Sequence, residues 1–108
     1  MIKFKSNVVV PKSAIIMAGA YNAWLQVGLP GDMWVTSGND SVHMPTSKHY
    51  HDEALDFRSH DLTDVQKNAW RAAIALRLGE DFQVVFEDHN GPNEHIHVEY
   101  DPLAERKR

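Results

Sequence analysis

Two stretches, Ala54-Leu55-Asp56-Phe57-Arg58 and Glu94-His95-Ile96-His97-Val98-Glu99-Tyr100, decide how this chain folds. Side chains alternate faces along a strand, so His95, His97 and Glu99 share one side of the second stretch while Ile96, Val98 and Tyr100 share the other. In the first stretch Ala54, Asp56 and Arg58 oppose Leu55 and Phe57 in the same way. One side is apolar and needs cover; the other gathers imidazoles and carboxylates. The economical arrangement is a small α+β domain, with helices packed on one face of an antiparallel sheet and a cleft on the other.

The rest of the chain supplies the missing layers. Upstream, Pro11 and Lys12 lead into Ser13, a helix-cap residue type, and the stretch from Ala14 to Val27 is apolar nearly all round, which predicts a buried helix. Gly28, Pro30 and Gly31 stop it, and Met33 to Thr36 reads as a short strand entering a turn-rich stretch from Ser37 to Ser47. Loops beyond about 12 residues are uncommon and often functional, and this one ends immediately before His49. Thr63 and Gln66 form a capping-box pattern. Val65, Ala69, Ala72, Ala73 and Leu76 then recur at helical spacing up to Gly79, predicting a second, amphipathic helix. Phe82 to Glu87 and Ile96 to Tyr100 read as strands joined by a turn around His89 to Asn93, with Asn90-Gly91 as its signal. Trp24 and Trp70 fall at core positions, and Trp34 falls beside the loop where it can line a cleft.

Composition bounds what this domain does. A chain of 108 residues with 43% apolar content is long enough for a single core and too short for two, so residues 1–108 form one domain with an exposed charged tail over about 102–108. The net charge of −4 is spread over both signs, which excludes the basic field that sequence-independent nucleic-acid binding needs. Cysteine is absent, so neither disulfides nor thiolate metal sites are available and any metal falls to the seven His and the carboxylates. The first residues, Met1 to Ser6, lack the apolar stretch of a signal peptide, and no apolar run approaches the roughly 18 residues of a membrane span. The expectation is a protein made in the cytoplasm, acting as a monomer.

His49, Asp56 seven residues later, and His97 together offer what a hydrolytic metal site requires. Three protein ligands leave one position open, and a carboxylate nearby can act as base. On an uninterrupted strand His49 and Asp56 would face opposite sides, so the pattern predicts a turn or bulge over Tyr50 to Glu53. Glu94 precedes His97 by an odd number beside a turn and is expected to approach from the rim as a base rather than a ligand. His95, about 7 Å from His97 at strand rise, can donate a hydrogen bond to an oxyanion. Without a metal, the same residues make a solvated polar sheet face; with one, two His and a carboxylate can hold iron as well as zinc.

At these residues the chain resembles a known family. Ser47-Lys48-His49-Tyr50-His51-Asp52-Glu53-Ala54-Leu55-Asp56 looks like the Ser-x-His-x-x-Gly-x-Ala-x-Asp motif of zinc D-alanyl-D-alanine carboxypeptidases and dipeptidases and of phage L-alanyl-D-glutamate endolysins. Glu94-His95-Ile96-His97 is similar to the second half of their signature. The stretch from Val35-Thr36-Ser37-Gly38 through His43 to His49-Tyr50 also resembles the hedgehog signalling domain, which shares that fold. The resemblance implies a Zn2+ ion on His49, Asp56 and His97, Glu94 as general base, and His95 beside the oxyanion. It also places Ser47 near the substrate backbone, with His43 as a substrate contact. The implied activity is hydrolysis of an amide bond in the peptidoglycan stem peptide or cross-link, on the cell wall after release, as in a phage endolysin or virion-associated lysin. Two departures stand out: the family glycine falls on Asp52, and no arginine precedes Arg58, where the carboxypeptidases and dipeptidases grip a terminal carboxylate. The second departure favours cleavage of an internal bond. A hedgehog-like zinc module that binds a cell-wall peptide or protein partner without hydrolysis is the other reading.

Overall fold

The computed structural model describes residues 11–37 and 53–102. Among these, two helices and four strands follow in the order α1 (Lys12–Val27), β1 (Val35–Ser37), β2 (Ala54–Arg58), α2 (Asp64–Leu78), β3 (Phe82–Glu87) and β4 (His95–Tyr100). The strands form one antiparallel sheet in the order β1-β2-β4-β3, with β4 inside it between β2 and β3. The α+β architecture read from the sequence is present. His43, Ser47 and His49, and most of the break expected over Tyr50 to Glu53, lie outside the described residues.

Strand alternation sorts the two faces as expected. Leu55 and Phe57 of β2, Val84 of β3, and Ile96 and Val98 of β4 join Ile16, Ala20, Ala23 and Trp24 of α1 and Trp70 and Ile74 of α2 in one buried cluster. Both helices therefore cover the same side of the sheet. Trp70 is its hub. The ring stands edge-on to Trp24 (centroids 4.9 Å apart, 81° between planes) and to Phe57 (5.9 Å, 70°), and its indole N–H donates to the Ala20 carbonyl at 3.0 Å. One residue thus ties α1, α2 and β2 together.

The helices differ from expectation in their caps and faces. Pro11, with φ −69° and ψ 159°, is the N-cap of α1 and makes no side-chain cap bond, so Ser13 lies inside the helix instead of opening it. The proline ring fixes φ, and the Pro11 carbonyl accepts from Ala14 and Ile15. Nor is α1 buried all round. In a two-layer domain a helix has only one covered stripe, and Tyr21 and Leu25 remain exposed opposite Ile16, Ala20 and Trp24. At its end Gly28 (φ 76°) donates to Leu25, and Leu29 donates to Trp24, a Schellman closure that packs Leu29 into the core.

In α2 the capping box is formed. Gln66 N–H donates to Thr63 Oγ1 at 3.1 Å and Thr63 N–H donates to Gln66 Oε1 at 2.9 Å. The buried stripe, however, is Lys67, Trp70 and Ile74, while Val65 and Leu76 are 81% and 84% exposed. The larger Trp70 and Ile74 side chains take the sheet-facing side, and their spacing turns Val65 and Leu76 outwards. Leu76→Lys should accordingly change the unfolding free energy by no more than about 0.5 kcal/mol in urea titrations. A loss of several times that size would place Leu76 in the core after all.

Candidate metal centre

The register of the sheet assembles the polar face. Asp56 of β2 pairs with His97 of β4, which pairs with Val85 of β3; one step along the same face, Arg58 pairs with His95 and His95 with Glu87. Ala54, Glu99 and Gln83 form the third row. Four ligand-type groups, Asp56, Glu87, His95 and His97, are therefore crowded onto three neighbouring strands.

Their contacts are close. His97 Nδ1 lies 2.7 Å from Asp56 Oδ1, and its Nε2 lies 3.0 Å from Glu99 Oε1. His95 Nε2 is 2.8 Å from Glu87 Oε1 and 3.8 Å from Asp56 Oδ2, while its Nδ1 is 2.9 Å from the Asn93 carbonyl. One ligand atom each from Asp56, Glu87 and His95 lies within 4.8 Å of the others, so this group could hold a metal ion. Asp56 is 9% exposed and Glu87 is exposed. A cavity of about 310 Å3 opens beside them, lined by Thr36, Asp56, Arg58, His60, Asn93, Glu94 and His95. Trp34, beside the loop, is largely exposed, and the Arg58 guanidinium lies over its ring, 5.5 Å from the centroid. Arg58 Nη2 also meets Asp61 Oδ2 at 3.2 Å.

The surrounding acids set the imidazole charges. Burial works against the protonated form of His97, but the Asp56 hydrogen bond and charge, helped by Glu99, outweigh it and push the pKa up to about 9. His95 is also raised: burial again opposes, and the Asn93 carbonyl, Glu87 and Asp56 overcome it. Metal and proton compete for such nitrogens, so the same acids that attract a cation also hold protons that it must displace.

Glu94 stands apart from this row. It has the strand parity of Ile96 and Val98, and its side chain is buried on the helix side of the sheet, not at an open rim as the sequence led us to expect. Lys67 Nζ donates to both carboxylate oxygens at 3.2 and 3.0 Å, Ser59 Oγ–H donates to Oε1 at 2.8 Å, and the Asn90 N–H donates to Oε2 at 2.7 Å. Lys67 Nζ also reaches Asn90 Oδ1 at 3.2 Å, so the knot ties the β3–β4 turn to α2. Burial raises the Glu94 pKa, but the Asn90 N–H, Lys67 and Ser59 outweigh it and hold the carboxyl below its ordinary 4.5. A depressed carboxyl contributes stability above the unfolded value and loses it as pH falls through the folded one. Unfolding free energy measured from neutral pH down through 4.5 should therefore fall more steeply in the wild type than in Glu94→Gln. Equal slopes would show that Glu94 is not held as described.

The structure brings Asp56, His95 and His97 onto one face and adds Glu87, Ser59 and Lys67, which sequence reasoning missed. A hairpin centred on Gly91 puts Glu87 opposite His95, so that signal was present. No helix of the described residues is long and apolar enough to cross a membrane. Comparison with protein-family models, with curated proteins and with solved structures finds no match.

Proposed function

We propose that this chain is a zinc-dependent peptidase that hydrolyses an amide bond in the peptidoglycan stem peptide or cross-link, in the manner of a phage lysin. The observation that carries this reading is the direct pairing of Asp56 with His97 on adjacent strands, 2.7 Å apart, in the two halves of the motif that resembles the zinc peptidases. The donor chemistry fits the ion. Imidazole nitrogen and carboxylate oxygen are zinc ligands, and Glu99 on the far nitrogen of His97 is the kind of outer carboxylate that orients a ligating histidine. His49, the third ligand in this reading, precedes Asp56 by seven residues, a length of extended chain of roughly 23 Å, ample to return to the same ion.

A zinc ion held there would supply Lewis acidity and a water of lowered pKa. The remaining work falls to side chains. Glu94, the base in this reading, is ionised at neutral pH but held by Lys67 and Ser59 on the helix side of the sheet, so it would have to turn towards the ion to take a proton and return it to the leaving amine. His95 would stand beside the scissile carbonyl; Ser47 and His43, outside the described residues, are the expected substrate contacts. The cavity along Asp56, Arg58 and His95 is where an extended peptide would lie.

The Glu94 knot also favours a second reading. A carboxylate whose two oxygens already accept four hydrogen bonds has reduced proton affinity and suits a structural tie, as in a zinc module that binds a cell-wall peptide without cutting it. Mass spectrometry of muropeptides separates the two. Wild type should release new peptide fragments, chelator should stop this, and Glu94→Gln should keep its zinc while losing about 100-fold or more of the rate. Bound zinc with unaltered muropeptides would establish the binding module instead.

A further inference from the structure

Each oxygen of the Asp56 carboxylate faces a different imidazole: Oδ1 meets His97 Nδ1 at 2.7 Å, and Oδ2 lies 3.8 Å from His95 Nε2. In both rings the other nitrogen meets an acceptor. The Asn93 carbonyl can only accept, so His95 Nδ1 carries its proton, and Nε2 is the atom turned towards Glu87 and Asp56. His97 stands between two carboxylates, Glu99 on Nε2 and Asp56 on Nδ1, so an ion on the Asp56 side must displace the proton there. A backbone carbonyl or carboxylate behind one nitrogen is how proteins fix the tautomer of a metal-binding histidine.

The spacing on the His95 side suits an ion. Donors about 2.1 Å from a tetrahedral centre stand about 3.4 Å from one another. The 2.8 Å from His95 Nε2 to Glu87 Oε1 and the 3.8 Å to Asp56 Oδ2 bracket that distance. Glu87, His95 and Asp56 Oδ2 thus form a donor set of their own, next to the pair made by Asp56 Oδ1 and His97.

From this we infer that the polar face holds two divalent transition-metal ions bridged by Asp56, one on the His97 side and the second on Glu87 and His95. The inference builds on the proposed peptidase site and adds an ion to it. Carboxylate-bridged pairs of this kind stand about 3.5–4 Å apart and share the charge of the bridging group. With the second ion bound, His95 is a ligand; the hydrogen-bonding role given to it above belongs to the protein carrying one ion.

Equilibrium dialysis of the metal-stripped chain against zinc, followed by elemental analysis, tests this directly. Wild type should retain about two ions per chain and Glu87→Gln about one. Glu87 is half exposed at a strand end and glutamine keeps its shape, so the fold should survive, and circular dichroism checks that it does. With cobalt in place of zinc, the wild-type ions should show magnetic coupling that disappears in Glu87→Gln. A single ion unaffected by Glu87→Gln but lost in His97→Ala would overturn the second site and leave the peptidase site standing. A single ion lost in Glu87→Gln and retained in His97→Ala would overturn the bridged pair and the proposed ligand set together.

Discussion

Trp70→Ala is expected to cost about 3–5 kcal/mol of unfolding free energy, the range for removing a fully buried tryptophan. The loss has three parts. The indole fills the space between α1, α2 and β2; its edge-on contacts with Trp24 and Phe57 go with it; and so does its hydrogen bond to the Ala20 carbonyl, which keeps its helix partner. A domain of this size has only about 5–15 kcal/mol in total, so the variant should be marginal at room temperature. Trp70→Phe retains most of the volume and should lose about 1–3 kcal/mol, through the lost N–H hydrogen bond and the space left by the smaller ring. Urea titrations of the three proteins in one buffer would decide it. If Trp70→Ala lost less than Trp70→Phe, the hub role would be wrong.

Asp56→Ala should weaken zinc binding by at least about 100-fold, the upper end of what loss of a mere outer partner costs a metal site. Competition with a chromophoric chelator measures it. The same substitution should alter the metal-free protein in a second way. His97, raised to about 9 with Asp56 as the chief support, contributes stability that is fully present below its ordinary 6.5 and is lost as pH rises through about 9. Metal-free wild type should therefore lose stability across that alkaline window, whereas Asp56→Ala, with His97 returned towards 6.5, should show a flatter profile. Unchanged zinc affinity in Asp56→Ala would remove Asp56 from the centre of the site.

How much of this was legible beforehand follows from the range of each signal. Parity along β2 and β4 needs no tertiary knowledge, because alternate side chains go to opposite faces whatever surrounds them; His95, His97 and Asp56 were found that way. The Thr63–Gln66 cap is equally local. The covered face of α2 was not, since Val65 and Leu76 keep helical spacing as faithfully as Trp70 and Ile74, and only packing against the sheet decides between the two stripes. Lys67 was overlooked because a lysine inside an apolar stripe reads as an interruption until its acidic partner is known. Glu94 illustrates the reverse error. Its parity already assigned it to the helix side, but its place in a motif with His97 drew the expectation towards the rim.

The division of the sheet into two faces makes the domain's shape independent of its cargo. Among the described residues the main buried cluster lies on the helix side, closed by tryptophan, isoleucine and valine, whereas the groups that could hold an ion lie on the reverse of the same strands. Small metalloproteins that collapse only around their ion lose their fold to a chelator. If the proposed ion is bound, stripping it should leave a folded scaffold with Asp56, His95 and His97 still on adjoining strands, able to be reloaded without refolding.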